Sequence, residues 1–219
     1  MRIGIIGAGN IGGNLTRRLT ALGHTVVVAN SRGPETLEDL TSATGATAVP
    51  ASEAARDADL VVVTVPERAV PDLPAGSLAE RRPGAPVVDT GNYYPQQRDG
   101  RIAAIEEGQT ESQWVAEQLG VPVIKAFNGI YADNINSRAR SAGAPDRLAL
   151  PVAGDDRDAK RVVMDLIDEM GFDPVDAGPL EESWRQQPGT PVYGAEMDAA
   201  GVRRALAEAS PRRSAEWRA

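Results

Sequence analysis

A chain of 219 residues, 42% hydrophobic and 25% charged, is long enough for one full domain and a smaller extension around a proper core. Its formal charge of −8 lacks the basic footprint that nucleic acid or an anionic membrane surface requires, so neither is expected as a partner. With no cysteine and the single His24, disulfides, thiolate chemistry and histidine-based metal sites fall away, and no metal is expected.

The chain begins with an apolar run, Arg2–Ile6, read as a strand. "GIIGAGNIGGNL" follows, with G-x-G-x-x-G at Gly7, Gly9 and Gly12, and then a helical stretch over Ile11–Leu22. Further valine- and isoleucine-rich runs predict strands at Thr25–Ala29, Leu60–Val65, Pro86–Asp89, Pro122–Phe127, Leu148–Ala153 and Phe172–Val175. Helical spacing falls between them, at Pro34–Ala43, Ala51–Ala58, Glu111–Leu119 and Arg157–Met170. The alternation predicts a Rossmann-type, doubly wound α/β fold with a mostly parallel sheet over residues 1–179. Residues 180–219 read as a short C-terminal extension: an irregular stretch, a helix over Met197–Ala209, and a basic tail, "SPRRSAEWRA", expected to be mobile. The longest apolar run, Leu60–Pro66, is far short of the roughly 20 residues that cross a bilayer, and the first residues show no signal region. A cytoplasmic protein is expected.

Strand before, helix after and a second strand downstream give the glycines their context. Gly7 permits a tight turn, Gly9 lets a pyrophosphate approach the backbone, and Gly12 lets the helix pack on the strand. The N–H groups around Asn10, Ile11 and Gly12, at the positive end of the helix, then receive the diphosphate. At the end of the second strand, "VVVANSRG" offers Asn30, Ser31 and Arg32, with no acid before Glu35. A ribose 2′-hydroxyl asks for Asp or Glu there, a 2′-phosphate for donors and positive charge, so NADP(H) is the expected dinucleotide.

Thr64, Val65 and Pro66 close one later strand and Asn92 follows another. Lys125-Ala126-Phe127-Asn128 closes a third, so these loops should meet on the nicotinamide side of the sheet. Asn92 and Asn128 read equally as loop caps or ligand contacts, and Lys125 equally as an ordinary ion-pair partner. Tyr93 and Tyr94 read as packing residues, Trp114 and Trp184 as core or interface residues, and His24 as structural. No catalytic residue is singled out.

"IGIIGAGNIGGNLTRRLTALGHTVVVANSR" together with "LPVAGDDRDAKRVVMDLIDEMGFDPVDAGPL" resembles the NADPH-dependent reductases of the deazaflavin coenzyme F420. "ESQWVAEQLGVPVIKAFNGIYADN" is similar to the NADPH domain of the six-transmembrane metalloreductases, of the same superfamily. The resemblance implies that the 2′-phosphate lies on Ser31 and Arg32, the nicotinamide near Thr64, Val65 and Pro66, and a second, flavin-like ring near Asn128. With the NADP-type site and the lack of a second domain to hold a small carbonyl, it leads to the expectation of hydride transfer between NADP(H) and coenzyme F420, with FMN or FAD as the acceptor if the stretch from Glu181 reshapes the pocket; a homodimer is expected. "DTGNYYPQQRDGRIAAIEEG" and the stretch from Glu181 depart from that family, and these are where a second substrate would be read. A flavin or imine reductase and a non-catalytic NADP(H) sensor are the alternatives.

Overall fold

A computed structural model describes residues 1–219. In chain order it contains β1 (Arg2–Ile6), α1 (Asn10–Ala21), β2 (Thr25–Ala29), α2 (Glu38–Thr44), β3 (Thr47–Ala48), β4 (Leu60–Val63) and β5 (Val87–Asp89). There follow α3 (Ala103–Glu106), α4 (Glu111–Leu119), β6 (Ile124–Lys125), α5 (Asn134–Ser137), β7 (Ala149–Val152), α6 (Arg157–Glu169), β8 (Asp173–Asp176) and α7 (Ala199–Glu208). Six strands form one sheet in the order β3-β2-β1-β4-β5-β6, every neighbouring pair parallel. This is the expected Rossmann-type arrangement, in which the order reverses between β1 and β4 and opens a crevice beyond the strand ends.

Alternation along the strands divides the core. Ile3 and Ile5 of β1 and Val62 of β4 join the larger cluster with Leu15 and Leu19 of α1, Val163 of α6 and Phe172. Ile6, Val61 and Val63 point the other way, toward Ile105, Trp114 and Val115. Both faces are therefore covered, which is why these strands read as unbroken apolar runs. β7 and β8 pair in parallel as a separate ribbon, joined to the main sheet by one antiparallel bridge between Lys125 and Ala153. Val202, Ala205 and Leu206 of α7 pack on that ribbon through Ala149 and Val175, in one cluster with Val192.

Three expectations from the sequence need correction. Ala51–Ala58 is no α-helix: a 3-10 turn covers Ala51–Glu53, and Asp57 adopts φ 55°. A Cβ on Gly4 would stand 2.1 Å from the Ala54 carbonyl oxygen, so this segment lies directly on β1 and is shaped by that contact. The strand expected over Leu60–Val65 ends at Val63, leaving Thr64 and Val65 in the loop, and the two-residue β3 is too short to show in the pattern. Nor is the basic tail free. Trp217 packs against the Tyr94 and Tyr193 rings at centroid distances of 5.7 and 6.3 Å, and Gln96 Nε2 donates to the Ala215 and Arg218 carbonyls. No helix is long and apolar enough to cross a membrane.

Candidate functional site: a nucleotide crevice over a buried charge network

The three glycines meet different constraints. Gly7 has φ 110°, and a Cβ there would lie 2.4 Å from the Thr64 carbonyl oxygen. On Gly12 a Cβ would lie 1.9 Å from the Gly7 carbonyl oxygen, so glycine is what allows α1 to close on the end of β1. Around Gly9 nothing stands within 4 Å of that position. The protein itself leaves Gly9 free, and the open side is the approach to the first turn of α1. No side chain caps that turn and no acid sits in it, so its orphan N–H groups and dipole face the opening. Asn10 is exposed and Ile11 packs its side chain against the larger core. This cradle fits a diphosphate.

At the tip of β2, Asn30 is spent on the loop: its Oδ1 accepts from the Arg32 N–H at 2.9 Å and its Nδ2 donates to Thr36 Oγ1 at 2.8 Å. That turn leaves Ser31 and Arg32 exposed. Glu35 lies close by; a Cβ on Gly33 would come within 2.4 Å of its carboxylate. The turn therefore offers two donors to an anion, with one acid at its margin.

Thr64 follows β4 directly, with Oγ1 3.5 Å from the Gly7 carbonyl, and Val65 and Pro66 are half-buried beside it. Across the sheet end, Asn92 Nδ2 donates to the Asn128 carbonyl at 2.9 Å, and Asn128 Nδ2 donates to Asn92 Oδ1 at 3.1 Å and to the Gln186 carbonyl. Phe127, at φ 62°, turns the chain so that Asn128 reaches back. Asn128 is buried and its amide hydrogens are used within the protein, whereas Asn92 is half-buried. Of the two readings open for this pair, the geometry favours the cap: together they tie the β5 and β6 loops into one wall.

Lys125 does not reach the rim. It is buried, and its Nζ donates to the Gly91 carbonyl at 2.6 Å and to Asp89 Oδ2 at 3.2 Å, with Glu111 Oε2 3.8 Å away. Burial opposes its charge, but Asp89, Glu111 and Glu67 outweigh that and hold its pKa above the usual lysine range. Ser112 Oγ donates to Asp89 Oδ2, and Arg213 Nη2 pairs with Glu111 Oε1 at 2.7 Å. Glu67 completes the group, fully buried, with neither carboxylate oxygen hydrogen-bonded and Arg98 Nη2 3.5 Å away. Burial first, and then the nearby Asp89, Glu111 and Asp99, hold its carboxyl well above the usual carboxylate range. Four buried acids, Glu67, Asp89, Asp99 and Glu111, thus face three cations, Lys125, Arg98 and Arg213, and that imbalance favours the protonated form of Glu67.

Tyr93 is buried, with its hydroxyl accepting from the Ile102 N–H, and Trp114 lies in the core. Trp184 carries Arg185 over its ring, and His24 lies between the N-terminal amine and Glu169. None of the four enters the crevice walls described above. Glu67, Asp89, Glu111, Ser112 and Arg213 escaped the sequence reading, and only Asp89, at a strand end, stood where a site residue is looked for.

Residues 2–93 match the family described as NADP oxidoreductase, coenzyme F420-dependent. The chain is similar to the hypothetical protein SMa0349 of Sinorhizobium meliloti, whose crystal structure superposes with a TM-score of 0.76 at 32% identity, over 90% of this chain and 94% of that one. A crystal structure of a candidate F420-dependent NADP-reductase from Arthrobacter sp. FB24 shares the fold, with a TM-score of 0.68 at 23% identity over 82% and 85% of the two chains. The metalloreductase STEAP3 of Rattus norvegicus is 29% identical over 180 residues, 82% of this chain and 34% of that protein. The chain spans less than half the length of the curated relatives it matches.

Proposed function

Because the chain belongs to the family of coenzyme F420-dependent NADP oxidoreductases, we propose that it passes hydride between NADP(H) and a deazaflavin or flavin-type ring. The observation that carries the nucleotide half is the pairing of an uncapped α1 N-terminus at an unobstructed Gly9 with an acid-free turn at Asn30-Ser31-Arg32. The N–H groups of α1 take the diphosphate, and Ser31 and Arg32 take the 2′-phosphate. Thr64, Val65 and Pro66 flank the nicotinamide, and the wall tied by Asn92 and Asn128 bounds the second ring.

In the reducing direction NADPH gives a hydride to the acceptor ring, which also takes up one proton, and NADP+ is released. The cofactors supply that chemistry. The protein supplies orientation and exclusion of water, so no histidine, cysteine or metal is called for. The tightly bonded Asn92–Asn128 wall serves this purpose, since hydride transfer depends steeply on the distance and alignment of the two rings.

Mixing the purified protein with NADPH and oxidised deazaflavin tests the reading. The deazaflavin absorbance is expected to bleach in a single NADPH-dependent phase. Turnover of FMN or FAD without bleaching moves the assignment to a flavin reductase, turnover of an imine alone to an imine reductase, and NADPH binding without turnover to a sensor.

A further inference from the structure

Three arginines line one cavity of a protein whose net charge is −8. The cavity, about 460 Å³, opens between the α3–α4 turn, the 3-10 turn over Leu180–Gln186 and the docked C-terminal segment. Its volume falls in the range of about 300–1,000 Å³ common for small-ligand sites. Arg212, Arg213 and Arg218 face a single acid there, Glu106, and Ile105, Trp184 and Pro211 add apolar surface. Glu106 is already engaged, by the Ala219 N–H at 2.9 Å and by Arg218 at 3.6 Å. Arg213 is engaged by Glu111 and Gln187. Arg212 is not: its backbone N–H donates to Ser210 Oγ, and its guanidinium has no carboxylate within ion-pair distance.

A second cavity, of about 750 Å³ against α6, shows that a cationic lining need not mean a site. There Arg157, Lys160 and Arg161 are matched by Asp155, Asp165 and Asp176, so the charges balance. Of the two, only the first carries an excess of positive charge. We propose that this cavity binds a small anion bearing phosphate or carboxylate groups, held by the Arg212 guanidinium with Arg218 and the amides of Gln109 and Gln187 beside it. A guanidinium fork matches either anion with two parallel hydrogen bonds, and the paired Arg213 keeps the floor rigid. None of the lining residues belongs to the nucleotide crevice, so the site is distinct from that of the dinucleotide.

Isothermal titration of the full chain with orthophosphate and with citrate, in low-salt chloride buffer, tests this. One equivalent of at least one anion is expected to bind, the stronger of the two identifying the preferred group, and binding should weaken as salt rises. Arg212→Ala should weaken it about tenfold or more, the worth of a charge-assisted hydrogen bond, while Arg212→Lys restores part of it. Arg161→Ala, in the balanced cavity, should leave it unchanged. The Arg212 side chain makes no internal bond, so its variants are expected to keep the parent melting temperature. No binding of either anion overturns the proposal, as does binding that Arg212→Ala leaves intact, since the anion would then sit elsewhere.

Discussion

Gly12 lies so close to Gly7 that a Cβ on it would stand 1.9 Å from the Gly7 carbonyl oxygen, whereas Gly9, between them, has nothing within 4 Å. One motif therefore contains two kinds of glycine. Gly12→Ala should destabilise the fold by about 1–3 kcal/mol, the usual cost of overpacking, read as a lower urea midpoint. Gly9→Val should keep the parent stability within about 1 kcal/mol, since it changes only an uncapped helix start. It should nevertheless abolish NADPH binding, because the branched side chain fills the space of the diphosphate. Normal NADPH affinity in Gly9→Val would make the loop a turn and nothing more.

The β2 turn sets up the second prediction. Arg32 is exposed and Asn30 holds its backbone in place, so Arg32→Ala removes a donor without loosening the turn. NADPH affinity should fall by about ten- to a hundredfold and NADH affinity should hardly change. Glu35 lies beside the same turn, and Glu35→Gln should raise NADPH affinity by removing a like charge. Titration of both nucleotides against both variants decides the matter; parallel losses for NADPH and NADH would take the 2′-phosphate away from Arg32.

What was legible in the sequence follows from how far each signal reaches. The buried parallel strands announce themselves because both faces of the sheet are covered, and the glycines because strand, turn and helix are contiguous. Ala51–Ala58 misled because its shape is imposed by Gly4, far away in the chain. Beyond the ion-pair reading of Lys125, the charge network was hidden for the same reason: Ser112 and Lys125 reach Asp89 across 23 and 36 residues. Glu67, in "VPERAV", looks like any solvated glutamate on a turn, and Arg213 like part of a loose basic tail.

The docked tail makes a prediction of its own. Trp217 fills the space beside Gly189, where a Cβ would come within 2.6 Å of its ring, and Arg213 is drawn in against Glu111. Trypsin should therefore cut slowly after Arg213 in the folded protein. Trp217→Ala should speed that cut markedly while the rest of the chain resists. Equal rates in the two proteins would mean that the tail is already free in solution.

Glu67 links stability to pH. Its carboxyl is held well above the usual carboxylate range, so over that interval the folded state binds more protons than the unfolded state. Stability is then greatest below the ordinary carboxylate pKa and falls as pH rises toward the raised value. Glu67→Gln keeps the shape and removes the titration. Its unfolding free energy should decline less with rising pH than the parent's, with the gap widening toward alkaline pH. Parallel curves would show that Glu67 is ionised in the fold like any other glutamate.

Lys125 carries the largest expected cost. It is the cation between Asp89, Glu111 and Glu67, and it also holds the Gly91 carbonyl in the loop that leads to Asn92. Lys125→Met fills the volume but leaves these acids facing one another, with Arg213 on the far side of Glu111. Breaking a buried pair in this way costs about 3–5 kcal/mol. Removing the opposing charge as well should return part of that, so Lys125→Met with Asp89→Asn should be more stable than Lys125→Met alone. The recovery should be incomplete, because Gly91 has still lost its donor and Ser112 no longer faces a carboxylate. Urea unfolding of the two single variants and the double gives the coupling directly. Additive losses would place Lys125 outside the Asp89 pair and return it to the crevice rim, where its substitution would act on acceptor KM rather than on stability.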